Sequence, residues 1–441
     1  MAQGLEGITM KKYFGAGLVI VLLLSLSVIL YGTYLNERGE YQIAQRMEER
    51  RIELLDAEAT VRNLRPQIKF NAVNLYSPNI MCVNGGQAMS EKGRIAWLDA
   101  AKGIAIAFVV AAHSIGGEWS NVLSPIRMPI FFVAAGFTLN LQKWQNRKYE
   151  FFRSRVERLL IPYFLLELLF WPIWSVRGMF LPRVGTELPP IEALGGILGG
   201  NSVDLPLVAL WFLPCFFLAE NIFLWLFPAD QALGIRSVLT ALFLSALGYQ
   251  LGCMEHLPWG LDIALFAQGF ILTGRWLRAK GLENLSGIWS LFLPLFLLAA
   301  QSHVNDYFNM AARMYGSYPL LAYAAAIGGS ILLMRIMQLL VHDATSDAHG
   351  CASADAGAGC AAFASAFPAE MGRRSMAIYV LHPFVQIIIT DTLLCTFIDG
   401  DYGTVFNLWQ AGIPIAVLGI LIPVYVSRHW AQKPILRHLG I

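Results

Sequence analysis

Long runs of apolar residues, separated by short polar intervals, dominate the chain. Runs of about 20 apolar residues are long enough to cross the hydrocarbon core of a bilayer as helices. One such run lies at 14–34, and ten more follow in close succession at 97–115, 124–142, 158–176, 206–227, 236–252, 258–276, 285–301, 318–341, 375–395 and 408–427. The sequence lacks the two-residue alternation typical of strands. The pattern therefore predicts an all-α integral membrane protein, a ten-helix transmembrane bundle preceded by one extra N-terminal transmembrane helix.

Composition and charge support this class. Of the 441 residues, 56% are hydrophobic and only 14% are charged, which is too little polar surface to cover a soluble globule of that size. Lysines and arginines concentrate in alternate intervals between the runs, beginning with the interval before residue 97. By the positive-inside rule these intervals are expected to be cytoplasmic. A soluble protein is thus excluded, and we expect a multi-pass protein.

Residues 1–92 differ from the rest of the chain. The apolar run at 14–34 follows Lys11 and Lys12 and lacks a small-residue cleavage site, so it predicts an uncleaved anchor rather than a signal peptide. Residues 36–66 predict a charged helix, which is either solvated or a coiled-coil partner site with an interrupted heptad. The stretch MSEKGRIAWLDAAKG resembles a natural start, so the first 88 residues are interpreted either as an appendage or as the result of a misassigned start.

The membrane domain is expected to occupy residues 93–441. Within it, residues 343–369 are rich in alanine, glycine and serine and show no periodicity. This composition predicts a flexible cytoplasmic loop. The six cysteines show no metal-ligand or disulfide spacing, so we expect neither a metal site nor structural disulfides.

The run LDAAKGIAIAFVVAAH, residues 98–113, contains Asp99, Lys102 and His113. Each ionisable group costs about 2 kcal/mol or more near the middle of a membrane helix. Lys102 and His113 are separated by nearly a whole number of turns, so they share one helix face about 16 Å apart, and Asp99 lies one turn before Lys102. Such a face must contact other helices or a water-filled cavity. The alternative is an Asp99–Lys102 pair at the helix mouth and a hydrogen-bonded core histidine.

Further ionisable residues lie within or beside other apolar runs. Arg127, Asp262 and His382 are the clearest cases, and Glu167 and Glu220 add two acidic positions. Arg127 has the alternative of snorkelling at a helix end, Asp262 of pairing with a basic group across the bundle, and His382 of packing in the core. Charges converging from several helices favour a functional cavity.

Six segments resemble those of one family, in the same order. LDAAKGIAIAFVVAAH resembles the Asp-x-x-Arg/Lys motif followed by ten residues and histidine that marks the acyltransferase 3 family of membrane O-acyltransferases. MPIFFVAAGF, RVERLLIPYF, LWFLPCFF, the Asp262 segment and GRRSMAIYVLHPF resemble later family segments. The resemblance covers about 94–440 and is closest to the fucose 4-O-acetylase-like branch, where lysine is common at the position of Lys102. In two departures, AAG replaces the usual SG and Arg127 stands where this branch often has histidine.

The resemblance implies transfer of an acyl group, expected to be acetyl, from cytoplasmic acetyl-CoA to a sugar hydroxyl of a cell-envelope glycan or a lipid-linked precursor. It implies a multi-pass protein of the inner (cytoplasmic) membrane. The partners are then an acyl-CoA, the acceptor and the lipid bilayer. Acetyl-CoA is a donor substrate, and we expect no permanently bound cofactor and no nucleic-acid partner.

The same resemblance suggests roles for the ionisable residues of the run at 98–113. A hydroxyl becomes an adequate nucleophile when a general base removes its proton, and a neutral histidine is well suited to that task. His113 is therefore the candidate base, or a covalent acyl relay. Asp99 and Lys102 would orient each other on the donor side. Arg127 would stabilise the developing negative charge or hold an acidic acceptor.

The substrate-binding candidates are Arg153, Arg155, Arg158, Asp262 and His382. The three arginines would clamp the CoA phosphates, because guanidinium groups match phosphate oxygens, or they provide only a positive-inside signal. Asp262 would position the acceptor or pair with a basic group. For His382, core packing with a hydrogen bond is the competing interpretation.

Two other function classes remain open from the sequence. A proton-linked carrier of a small anionic or glycan-lipid solute could use the same intramembrane histidine, aspartate and arginine groups. Labelled acetyl-CoA separates the two, since the enzyme consumes it and a carrier does not. A structural scaffold that docks through the 36–66 helix is the weaker alternative.

Overall fold

The computed structural model describes most of the chain beyond residue 94. The described residues are 95–115, 119–180, 190–200, 205–228, 234–282, 289–305, 308–350, 366–396, 405 and 409–430. The predicted anchor at 14–34 and the predicted charged helix at 36–66 lie outside these residues.

The described part of the chain is helical. Its helices are α1 (Ala96–Ala112), α2 (Trp119–Arg127), α3 (Pro129–Thr138), α4 (Leu141–Gln145), α5 (Lys148–Arg155), α6 (Ile161–Phe180), α7 (Pro190–Gly199), α8 (Phe212–Leu226), α9 (Ile235–Met254), α10 (Leu261–Phe266), α11 (Gln268–Lys280), α12 (Trp289–Val304), α13 (Pro319–Gly350), α14 (Ser375–Thr396) and α15 (Trp409–Trp430). A π-helical turn, Val156–Leu160, joins α5 to α6. Short 3₁₀ turns at Val208–Trp211 and Pro258–Gly260 precede α8 and α10. Among these residues the only strand-like feature is an isolated antiparallel bridge between Asn309 and Met314.

Within the described residues, five helical stretches are long and apolar enough to cross a membrane. They are Trp119–Thr138, Val208–Leu226, Ile235–Met254, Pro319–Val341 and Gln410–His429. Two shorter apolar helices span Leu291–Val304 and Ser375–Asp391. These helices support the predicted class, a helical membrane protein. The count of ten core helices and one additional N-terminal helix stays a prediction.

Two predicted elements differ from the structure. The expected single helix at 124–142 is divided into α2 and α3 at Met128, where Pro129 begins the second helix without an N–H to continue the first. The expected loop at 343–369 is too long, because α13 continues to Gly350 and residues 366–373 are helical. Residues 343–350 extend the existing helix α13, and adding residues to a formed helix is easier than nucleating a new one.

Close helix packing depends on small residues, as is usual in membrane bundles. α3 and α11 pack through two glycines that face each other's backbone. A Cβ on Gly136 would lie 1.8 Å from the carbonyl oxygen of Ile271, and one on Gly274 would lie 1.8 Å from that of Val133. Neither position can carry a larger residue without moving a helix.

Helix α1 lies inside the bundle. It contacts α2, α3, α13, α14 and α15, and most of its residues are buried. Of the polar residues on this helix, Asp99 is enclosed by protein and Lys102 is partly enclosed. The contacts with α14 position the candidate site.

Candidate active site

Near its N-terminal end, α1 carries an ion pair. The Nζ of Lys102 lies 2.7 Å from Oδ1 of Asp99, one helical turn earlier. Asp99 is buried and Lys102 is half-buried. The pair therefore lies at the edge of the bundle, with the lysine toward an open space.

That space is a cavity of about 200 Å³, called here the Lys102 cavity. Its polar wall includes Lys102, Arg155, Arg158, Glu220 and Tyr379, and its apolar wall includes Ile106, Phe131, Leu159, Phe212, Leu213, Phe216 and Met376. Three cationic side chains and one anionic side chain give this wall a positive charge. An anionic group with an apolar extension matches the combination.

An ion pair fixes one side of the Lys102 cavity. The Nε of Arg155 lies 2.7 Å from Oε2 of Glu220, and its Nη2 donates to Oε1 over 3.0 Å. Glu220 is buried on α8, and the charge of Arg158 also acts on it. The guanidinium of Arg155 is thus held at the cavity wall by a carboxylate from another helix.

Arg153 lies apart from the other two arginines. It is exposed, and its Nε donates to Oε1 of Glu157 over 2.9 Å. This hydrogen bond, together with the charge of Glu157, raises the pKa of the Arg153 guanidinium. Two residues correspond to about 200° around a helix, so Arg153 and Arg155 face opposite directions. The predicted three-arginine cluster is therefore two residues in the cavity and one outside it.

At the other end of α1 lies His113, which caps the helix and is exposed. Its ring centroid lies 5.7 Å from that of His382 on α14, and His382 is fully buried. The structure thus brings together the two histidines that the sequence singled out separately. Arg127, at the end of α2, donates from Nη1 to Oγ of Ser120 over 3.0 Å, and its charge acts on His113.

Asp262 belongs to a separate, sealed ion pair. Arg313 donates from Nε to Oδ2 over 2.8 Å and from Nη2 to Oδ1 over 3.1 Å. The Asp262 side chain is 0% exposed and the Arg313 side chain is 4% exposed. Of the two interpretations of Asp262, the structure shows the pairing. Both oxygens of the carboxylate are already occupied by the guanidinium.

Two residues near the site are not among those that the sequence predicts. Tyr379 lines the Lys102 cavity, and its hydroxyl donates to the carbonyl of Ala209. Gln386 is buried and its side chain contacts the end of α1. Tyr379 lies three residues before His382 and Gln386 lies four residues after it, so helical spacing places all three residues on one face. That spacing is the signal by which the sequence could have indicated them.

A metal site is not evident in the described part of the chain, where no three histidine, cysteine, aspartate or glutamate side chains cluster. Glu167 is buried, and its Oε2 accepts a hydrogen bond from the backbone N–H of Leu207 over 3.2 Å. The groups able to hold an anion are those of the Lys102 cavity. The groups able to accept a proton near an exposed surface are those at His113.

Comparison with known proteins gives one match. The acyltransferase 3 family model, described as an acyltransferase domain, matches residues 95–428. No curated protein and no solved structure matches the chain significantly. The matched region contains both ends of α1, the Lys102 cavity and His382.

Proposed function

The chain belongs to the acyltransferase 3 family, and from that premise we propose that it is a membrane O-acyltransferase for a glycan. In this proposal it transfers an acetyl group from acetyl-CoA to a sugar hydroxyl of a cell-envelope glycan or a lipid-linked precursor. The membrane is the cell inner membrane. The family match itself supports a membrane acyltransferase, and the donor, the acceptor and the residue roles are the proposed part.

One observation supports the proposal most directly. A single helix, α1, carries Lys102 in a cationic cavity at one end and an exposed histidine, His113, at the other. Eleven residues of helix separate the two by about 16 Å along the axis. A donor can therefore bind on one side of the bundle while an acceptor approaches from the other.

On the donor side, the chemistry of the Lys102 cavity suits an acyl-CoA. Arg155, Arg158 and Lys102 offer N–H donors to phosphate oxygens, which bind guanidinium groups by paired hydrogen bonds. The phenylalanines of the apolar wall suit the uncharged pantetheine arm, which would extend along α1 so that its acyl group reaches His113. Glu220 keeps Arg155 in place before the donor binds.

On the acceptor side, His113 is the proposed general base. A neutral imidazole nitrogen removes the proton of the sugar hydroxyl as the oxygen attacks the acyl carbon. The positive charge of Arg127 stabilises the negative charge that develops on the carbonyl oxygen. In an alternative version His113 carries the acyl group itself before it reaches the sugar.

The test compares envelope glycans from cells with the intact gene, with a deletion, and with a His113→Ala variant. Ester-linked acetyl is scored by mass spectrometry, with mild-base release as the control, and membrane insertion of the variant is verified by immunoblot. Loss of acetyl in both altered strains supports the proposal. Identical glycans in all three strains would contradict it.

The carrier alternative is tested in the same material. Membranes from cells with the intact gene should release free CoA from labelled acetyl-CoA and place the label in glycan, whereas a carrier leaves the donor unchanged.

Asp99→Ala is a useful companion variant, since it removes the partner of Lys102 and leaves the histidine end intact. We expect it to raise the KM for acetyl-CoA more than it lowers kcat.

A further inference from the structure

Helix α14 presents two polar residues to the end of α1. His382 and Gln386 are one turn apart on one face, and both are buried. The Nε2 of Gln386 donates to the carbonyl oxygen of Val110 over 2.8 Å and also contacts Oγ of Ser114. These two contacts lie on either side of His113 in the chain. Gln386 therefore fixes the backbone that carries His113, and His382 lies opposite its ring.

The hydrogen bonding of His382 determines which of its nitrogens carries a lone pair. Its Nδ1 lies 3.0 Å from the carbonyl oxygen of Ile378. A carbonyl oxygen only accepts, so Nδ1 must carry the proton and Nε2 the lone pair in the neutral ring. Among the described residues that buried Nε2 has no hydrogen-bond partner. A buried acceptor without a partner is uncommon in folded proteins and calls for an explanation.

The short distance between the rings of His382 and His113 supplies an explanation for this unpaired nitrogen. Two imidazoles joined by an N–H···N hydrogen bond have ring centroids about 5 Å apart, given a nitrogen–nitrogen distance of about 2.9 Å. The observed separation is 5.7 Å. His113 is exposed and sits at the end of its helix, so a small rotation of its side chain closes the gap. His382 is packed on all sides and stays in place.

We propose that His382 is a positioning residue that accepts a hydrogen bond from a ring N–H of His113. This inference rests on the proposed function. With that N–H directed at His382, the second ring nitrogen of His113 carries its lone pair toward the acceptor hydroxyl. His113 is then the base and not the acyl relay.

The reaction step balances with the residues and substrates already named. The acceptor O–H bond breaks, and its proton moves to the free ring nitrogen of His113. The oxygen bonds to the acyl carbon and the carbon–sulfur bond of the thioester breaks. The electron pair leaves on sulfur as CoA thiolate, which takes the proton from His113 and returns the histidine to its neutral form. His382 exchanges no proton and stabilises the doubly protonated His113 through the hydrogen bond.

Core packing alone does not account for these features. A residue that only fills space between α1 and α14 needs no free lone pair, and leucine would fill the volume without an unsatisfied nitrogen. The ring of Tyr379 lies 6.0 Å from that of His382 but leaves Nε2 without a partner.

The experiment compares His382→Leu, His382→Gln and Thr390→Val in purified protein. The probes are labelled acetyl-CoA and an envelope glycan fraction from the deletion strain. Thr390 is the matched control, because it is a buried polar residue on the same helix whose Oγ1 has no hydrogen-bond partner in the described structure. We expect His382→Leu to lower kcat roughly 100-fold, within the usual range for a base that has lost its orientation. The KM for acetyl-CoA should change less than about threefold, since the donor binds elsewhere.

The glutamine variant separates positioning from packing. Its side-chain oxygen can accept the hydrogen bond from His113, so we expect it to keep a tenth or more of the wild-type kcat. Thr390→Val should stay within twofold of wild type, and all variants should elute as folded protein with similar unfolding temperatures.

Three outcomes would overturn the inference. One is a His382→Leu variant that keeps more than half of the wild-type kcat while His113→Ala is inactive, a result that leaves the proposed function intact. Another is an equal loss of kcat in the leucine and glutamine variants. If the leucine variant does not fold, the glutamine variant decides, and a loss of more than 100-fold there overturns the inference. A wild-type protein that consumes no labelled acetyl-CoA would instead contradict the proposed function itself.

Discussion

Removing one partner of the sealed Asp262–Arg313 pair is expected to destabilise the protein strongly. The guanidinium binds both carboxylate oxygens, over 2.8 and 3.1 Å, and the side chains are almost completely excluded from solvent. Asp262→Ala leaves the charge of Arg313 buried without a partner. Loss of one partner from such a pair costs about 3–5 kcal/mol.

A double variant tests whether that cost comes from the uncompensated charge. Asp262→Leu combined with Arg313→Met removes both charges and replaces them with apolar groups of similar length. Buried pairs replaced in this way are often neutral or stabilising. We therefore expect the double variant to recover most of the stability lost by either single change, giving a coupling free energy of about 2–3 kcal/mol in a double-mutant cycle.

The assay measures unfolding of the purified wild type, both single variants and the double variant in the same detergent. In parallel, kcat and the KM for the acceptor glycan fraction are measured on the folded enzyme. Because the carboxylate is fully occupied by Arg313, the acceptor KM should change little in variants that fold. Equal unfolding temperatures for all four proteins would refute the argument from burial. A stable Asp262→Asn variant with a tenfold higher acceptor KM would show that Asp262 positions the acceptor.

Three further predictions concern the donor side and helix packing. Arg158→Gln should raise the KM for acetyl-CoA about tenfold, as expected for the loss of a charged hydrogen bond, whereas the exposed Arg153→Gln should leave kinetic constants within twofold. Gly372→Val should lower stability by about 1–3 kcal/mol or more, seen as a lower unfolding temperature, because a Cβ at Gly372 would lie 1.7 Å from the carbonyl oxygen of Asp99. Gly195→Ala is the contrasting case, since nothing lies within 4 Å of its Cβ position, and we expect a gain of up to about 1 kcal/mol from helix propensity.

Local spacing within one helix was enough to predict one ion pair of the candidate site. Asp99 and Lys102 are separated by three residues, and the ion pair between them follows from ordinary helix geometry. The polar face of α1 also required protein neighbours, and α1 is indeed enclosed by other helices. The same reasoning, applied to Arg153 and Arg155, would have separated them onto opposite faces.

The partners across the bundle could not be predicted in this way. His113 meets His382 because two helices distant in the chain dock against one another, and Asp262 on α10 meets Arg313 in the turn between α12 and α13. Single-sequence periodicity indicates which face of a helix is buried but carries no information on which helix covers it. The extension of α13 to Gly350 is a different failure, since residues 343–350 are polar and lack helical periodicity yet continue a helix that is already formed.

Among the described residues, two ion pairs join parts of the chain that are distant in sequence, and the difference between their surroundings bears on function. The Asp262–Arg313 pair is sealed, so its hydrogen bonds are fixed whether or not a substrate is present. The Arg155 side chain, in contrast, is 21% exposed beside the Lys102 cavity while its partner Glu220 is 4% exposed. The buried carboxylate can therefore hold the guanidinium in position from behind while part of the guanidinium faces an incoming anion. Because Lys102 and Arg158 also line the cavity, its wall keeps a positive charge with Arg155 paired. A binding site arranged in this way orders its cations before the donor arrives, which reduces the entropy lost on binding.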